Sequence, residues 1–436
     1  MGEVERERVG VQQTTGSWPA ARNVPVMAAT TALNVGAMTL WSPILPLILR
    51  DLGATAFQVS LSVAIWTAVA ALFQYQGGIW SDRWGRLPTL VYPTYLCAVA
   101  ISAAAFMSSW KPFVLVYILW YVANAIQGPT FSTIIGEAVP PERQGHAFGL
   151  VEFTIGLGVV AGPLLGAYLL PVVRARGLLL TTGVIFLGTA IARHALLRET
   201  KPAAAGSIHF HFTQVFSGRL AVVLLISVAY YLVLSTTMWG PFLALHASDA
   251  MGLSKSQINL FYAAGSAVSA LCSLLAGRAV ARWGVYRVLS WASLALGGTV
   301  LLWSLQRHLG AILAGMLAIS AAFQFSMVAS DAFRVIALPE TIRGRALGAI
   351  GTMSSVAAVL AVPLAGYLRQ KLVLAPFILA AATAVVLFFA VQVLIARHVA
   401  PADSLADPGA RAGGSVAPLP CTTTDPDRPP GDERQA

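Results

Sequence analysis

Only a handful of residues in this chain could do acid–base chemistry away from water. Glu152 lies inside a long apolar stretch, one to two helical turns beyond His146, and Asp331 lies inside another. A carboxyl group in hydrocarbon is costly unless it is paired, wetted or protonated, so such groups mark sites of function. Glu152 is therefore expected to take up and release a proton, with Asp331 in reserve. Each also has a plainer reading. Glu152 could be a water-bridged carboxyl with no part in the chemistry, and Arg334 offers Asp331 a salt bridge. His209 and His211 are two lone ligands in a loop, too few for a metal site. Cys97, Cys272 and Cys421 fall in two apolar stretches and a tail, which gives neither a disulfide framework nor a zinc site. With no paired catalytic groups, no enzyme activity, cofactor or metal is expected.

The elements holding these residues must be membrane helices. Apolar residues make up 57% of the chain, charged residues 11%, and the mean hydropathy is +0.73. A soluble domain does not have this composition. Twelve apolar stretches reach the length of about 20 helical residues that a bilayer core demands. They run 24–49, 57–79, 88–109, 113–136, 147–170, 177–197, 220–243, 257–280, 286–305, 309–333, 346–368 and 373–396. They are too long for strands and lack strict alternation. Placing both termini inside assigns 20 of the 28 Lys and Arg residues to the cytoplasm and 8 to the outside, which fixes the topology. The net charge of +10 is thus a topology signal, and nucleic acid is not an expected partner. Residues 1–23 form a cytoplasmic tail, 24–197 and 220–396 two six-helix bundles, 198–219 a cytoplasmic middle loop, and 397–436 a disordered tail.

The two bundles repeat each other. Gly78, Arg83, Trp84 and Gly85 recur as Gly277, Arg282, Trp283 and Gly284, 199 residues on. The same offset joins Gln58 to Gln257, Pro140 to Pro339 and Gly145 to Gly344. A duplicated membrane bundle is how many secondary transporters are built. The expected fold is an all-α polytopic membrane protein, with twelve transmembrane helices in two pseudo-symmetric bundles.

The turn Gly78-x-x-x-Asp82-Arg83-x-Gly85-Arg86 resembles the signature turn between helices two and three of the major facilitator superfamily. The resemblance covers about residues 24–396. It implies a conformational latch of Gly78, Asp82, Arg83, Gly85, Arg86 and Glu137, with Glu137 paired to Arg86. Small Gly78 would let two helices approach, and Gly85 would allow the tight turn. Asp82 would sit against the N-terminus of the eleventh helix, near Gly344. Its repeat partner is Ala281, so turn formation alone does not require the acid. Gly149, Gly158, Gly162, Pro163 and Gly166 resemble the glycine-proline motif of the family's drug:proton antiporters. Gln127-Gly128 matches half of a fourth-helix motif, but Asn124 stands where the family has arginine.

A central pocket is expected from Asn34, Met38 and Trp41 on helix one, Asn124 and Gln127 on helix four, Tyr230, Tyr231 and Trp239 on helix seven, Tyr262 on helix eight and Gln324 on helix ten. Such a neutral, aromatic surface suits a mostly apolar ligand held by a few polar groups. The near-absence of buried Arg or Lys argues against strong anions. The expected function is alternating-access transport by a monomer in the plasma (inner) membrane, exporting a hydrophobic or amphipathic small molecule, positively charged if it carries a charge, against entering protons. Uptake or uniport of a neutral metabolite without proton coupling is one alternative, and a non-transporting receptor or scaffold is another.

Overall fold

The computed structural model describes residues 22–200, 216, 218–338 and 343–403, and all regular structure among them is helical. Residues 1–21 and 404–436, the His209 and His211 pair, most of the middle loop and Cys421 lie outside the described residues. The last helix continues through 397–403, the first seven residues of the stretch expected as a disordered tail. The chain divides into Met1–Gln392 and Val393–Ala436. The cavities and helix interfaces belong to the first of these units.

The first half comprises α1 (Asn23–Thr39), a 3-10 turn (Ser42–Ile44), α2 (Leu45–Asp51), α3 (Ala56–Trp84), α4 (Arg86–Ala104), α5 (Trp110–Glu137) and α6 (Pro141–Leu196). The second comprises α7 (Gly218–Thr236), α8 (Phe242–Asp249), α9 (Lys255–Trp283), α10 (Val285–Ser304), α11 (Leu309–Ala337), α12 (Arg343–Lys371) and α13 (Ala375–Asp403). The twelve expected spans map onto these elements with three departures. The first span is broken between α1 and α2, where Pro43 and Pro46 remove backbone donors. The seventh is broken between α7 and α8, ahead of Pro241. Helix α6 holds two spans, folded back at Arg174, whose φ of 58° and ψ of 176° leave the helical region.

The duplication is visible in the backbone. Helices α3 and α9 are each 29 residues long. Each starts on a capping box, Thr55 with Gln58 and Ser254 with Gln257, which satisfies two exposed amides reciprocally. Each ends at a glycine with positive φ, Gly85 at 98° and Gly284 at 85°. The repeated glutamines and glycines are therefore the start and stop of one duplicated helix.

The halves meet along α3 with α12 and α6 with α9. Asn259 donates to the Leu40 carbonyl at 2.8 Å, and Phe57 meets Tyr367 edge-on. At the end opposite the Gly85 and Gly284 turns, Arg50 pairs with Asp249 and Lys255 with Asp51, both across the halves. Arg369 adds a 3.0 Å contact to Asp249. Among the described residues, no ion pair joins the halves at the turn end.

Candidate functional site

A cavity of about 720 Å³ lies between the halves. Helix α5 supplies one wall: Tyr117, Trp120, Tyr121 and Asn124 follow one another at i, i+3, i+4 and i+7, one face of a helix. The Tyr117 and Trp120 rings stack at 5.1 Å, and Trp66 from α3 meets Tyr117 edge-on at 4.8 Å. From the other half come Tyr231 and Trp239, in edge contact at 5.2 Å, with Tyr262. Of the residues expected at a central pocket, Met38, Asn124, Tyr231, Trp239 and Tyr262 line this cavity. Trp66, Tyr117, Trp120 and Tyr121 escaped that reading, although the helical spacing on α5 was there to be read.

Three expected lining residues lie elsewhere. Trp41 is fully buried and donates its indole N–H to Thr182 Oγ1 at 3.0 Å. Tyr230 is buried too, its hydroxyl 3.4 Å from Ser326 Oγ. Both rings were taken by packing because a polar tip found a partner inside its own bundle. Gln324 lines neither this cavity nor the smaller one beside it.

That smaller cavity, about 210 Å³, contains Asn34 and Gln127 and shares Met38 and Asn124 with the first. It also exposes the residue that sequence reasoning missed. Arg193 of α6 is only 3% exposed. Its Nε donates to Thr30 Oγ1 at 3.0 Å and its Nη2 to Thr31 Oγ1 at 3.0 Å. Its Nη1 donates to Thr94 Oγ1 at 3.1 Å and to Gln127 Oε1 at 3.2 Å. One buried arginine therefore borders this chamber, a cation that the sequence reading did not place there. Asn124 makes no contact of that kind; its amide donates to Trp120 O at 2.9 Å and to Cys97 Sγ at 3.2 Å. The guanidinium that borders this chamber comes from α6.

At the turn end, Arg86 is the hub. It contacts Glu137 at 3.1 Å, Asp82 at 2.6 Å and Ser81 Oγ at 3.0 Å while only 6% exposed. Asp82 faces Arg86 within its own turn, with its side chain 58% exposed; the surroundings of Gly344 lie outside the described residues. Arg83 is exposed. Gly78 is not the close-approach position. A methyl group there would meet only the Pro129 side chain at 4.0 Å, whereas one at Gly77 would lie 2.6 Å from the Ile126 carbonyl. Glu199 was not anticipated: its carboxylate accepts from the Arg86 and Leu87 amides at 2.7 and 2.9 Å, capping α4.

The glycine ridge of α6 packs against α1. A methyl group at Gly158 would stand 2.6 Å from the Ala32 carbonyl, one at Gly162 would overlap Thr39 and Gly36, and one at Gly166 would overlap the Leu40 carbonyl. Thr39 exploits the approach, donating to the Gly158 carbonyl at 3.2 Å. Gly149 has open space around it. Pro163 lines the central cavity, as does Val159. Glu152 is exposed and lies seven and eleven residues before these two, hence on their face of the helix. Asp331 is held by Arg334 at 2.6 Å. His246, outside the expected spans, is buried on α8 with Nε2 2.8 Å from the Ser304 carbonyl. Among the described residues, no group of three or more metal-ligating side chains occurs.

Comparison with known proteins agrees with this architecture. The family model of the Major Facilitator Superfamily matches residues 27–245 and 227–424. The chain belongs to that superfamily, a family of transporters and not of enzymes. The multi-drug resistance efflux pump PmrA of Streptococcus pneumoniae is 24% identical over 246 residues, 55% of this chain. That match spans 60% of PmrA's length. A chloramphenicol resistance protein of Pseudomonas aeruginosa is 24% identical over 338 residues, 72% of this chain and 79% of the relative. Among solved structures, a bacterial homologue of the human lysosomal transporter Spinster, in an inward-facing and occupied conformation, superposes with a TM-score of 0.71. It is 14% identical, with 88% of this chain and 98% of that one covered.

Proposed function

We propose that this protein is a secondary transporter of the plasma (inner) membrane, with cytoplasmic termini, which exports a hydrophobic or amphipathic small molecule in exchange for protons. The observation that carries the reading is the aromatic cavity between two pseudo-symmetric halves, closed at one end by cross-half ion pairs and without such pairs, among the described residues, at the other. With the turn end cytoplasmic, this is the inward-open half of an alternating-access cycle. The helical bundles are residues 24–197 and 220–396, joined by the middle loop 198–219, and the protein works as a monomer. Glu152, on the cavity face of α6, is the proton-coupling acid and Asp331 the reserve. The Asp82, Arg86 and Glu137 cluster is the latch that rearranges when the halves rock. The efflux direction leans on what PmrA and the chloramphenicol resistance protein are called.

The test is accumulation of a panel of lipophilic dyes and drugs in efflux-deficient cells with and without the protein. Lower accumulation that recovers when a protonophore collapses the gradient is the expected result. Unchanged or higher accumulation would move the weight to uptake or uniport.

A further inference from the structure

The smaller cavity holds a cation without an anion. Arg193 makes four hydrogen bonds, to three threonine hydroxyls and the Gln127 amide oxygen, all of them neutral. A guanidinium carries five N–H donors, so one on Nη2 has no acceptor among the described residues. Neutral partners satisfy hydrogen bonds but leave the charge in place, and an unpaired charge in a low-dielectric interior is costly. Asn34 lines the same cavity. Its Oδ1 accepts from Thr189 at 2.6 Å, and its amide nitrogen makes no hydrogen bond among the described residues. Uncommitted donors on two helices therefore border one chamber, whose remaining walls include Leu90, Phe131, Ile155 and Phe186. Met38 and Asn124 border both this chamber and the central cavity, which makes the two neighbours.

We propose that this chamber takes the negatively charged head of the transported molecule, an organic monocarboxylate whose apolar body lies along the aromatic wall of α5. The inference rests on the reading of the central cavity as a transport site and names its substrate class. One cation with one free donor suits a single negative charge, since a dianion would leave net charge in an apolar chamber. A carboxylate can accept from Arg193 Nη2 with one oxygen and from the Asn34 amide with the other. A cationic head would be repelled. Bracing α1, α4, α5 and α6 is the rival role for Arg193, and it requires no ligand charge.

The experiment is equilibrium binding to the full chain in detergent, followed by quenching of its tryptophans. The probes are an anthracene monocarboxylate, its methyl ester and the matching anthracenylmethylammonium. The carboxylate is expected to bind at least about tenfold tighter than the ester or the ammonium, the worth of one charge-assisted hydrogen bond. In Arg193→Gln the carboxylate-to-ester affinity ratio should fall to about one, whatever happens to the ester affinity itself. Equal wild-type affinities for carboxylate and ester, or a preference that survives in Arg193→Gln, would overturn the proposal. If Arg193→Gln does not fold, the wild-type ratio alone decides. Binding needs neither a gradient nor a direction. Dye export with no carboxylate preference would sink this inference alone, and the preference without export would sink the efflux reading alone.

Discussion

Glu152 stands on the α6 face that carries Val159 and Pro163, about 10 Å along the axis from Val159. No described ion pair holds it, whereas Asp331 is tied to Arg334. A coupling acid must exchange its proton with both water and substrate, and that role is proposed for Glu152 because no described ion pair ties it down. Glu152→Gln is expected to abolish uphill transport while membrane abundance stays normal. Asp331→Asn should leave uphill transport within about twofold, because it removes only a salt bridge worth about 0.2–1 kcal/mol. Reversed phenotypes would exchange the roles of the two acids. Arg193 shows why residue-scale reading stops short. It lies four residues from the end of its expected span, so linear position suggests an interfacial side chain. Its burial depends on Thr30 and Thr31 of α1, Thr94 of α4 and Gln127 of α5 converging on it. No pattern within one helix encodes that convergence.

The α6 ridge makes a sharper claim at the scale of elements, because α1 touches glycine surface almost directly. Gly162→Val should lower stability by about 1–3 kcal/mol through overpacking, read as a drop in Tm in detergent. Gly149→Ala meets open space and exchanges glycine for a better helix former, so its Tm should hold or rise by the equivalent of up to about 1 kcal/mol. Equal losses in both variants would show that the ridge is not what seats α1. Elements were also where the sequence spoke most clearly. Hydropathy alone gives the long crossings, since lipid forces the chain to satisfy its own amides. The capping glutamines and turn glycines mark the ends of α3 and α9. The breaks between α1 and α2 and between α7 and α8 were harder to see. A proline in a membrane span bends one helix and interrupts another, depending on whether neighbouring groups satisfy the freed carbonyl. Pro163 lies inside an unbroken run, while Pro43 and Pro46 accompany a break.

For the whole molecule, the decisive contacts are those the two halves make with each other. Asp249 stands between Arg50 of the other half and Arg369 of its own. Asp249→Ala therefore breaks the cross-half pair and also leaves two like charges facing each other, and should open the sealed end further than Arg50→Ala does. Partly exposed ion pairs contribute about 0.2–1 kcal/mol each. Shifts of up to roughly fivefold in the inward-to-outward ratio are therefore expected for Arg50→Ala and larger ones for Asp249→Ala. Spin-label distances between the ends of α2 and α8 report that ratio, and unchanged distance distributions in both variants would remove the pairs from the closing mechanism. Arg50 and Asp249 are also the same position of the repeat, because they too lie 199 residues apart, the offset of the duplicated turn. Equivalent positions meet only where a twofold axis passes between them. Two identical chains about such an axis can set only like against like, arginine on arginine or aspartate on aspartate. The attraction that closes this end therefore belongs to a fused pair of unequal halves, and a symmetric dimer of either half would repel itself at that point.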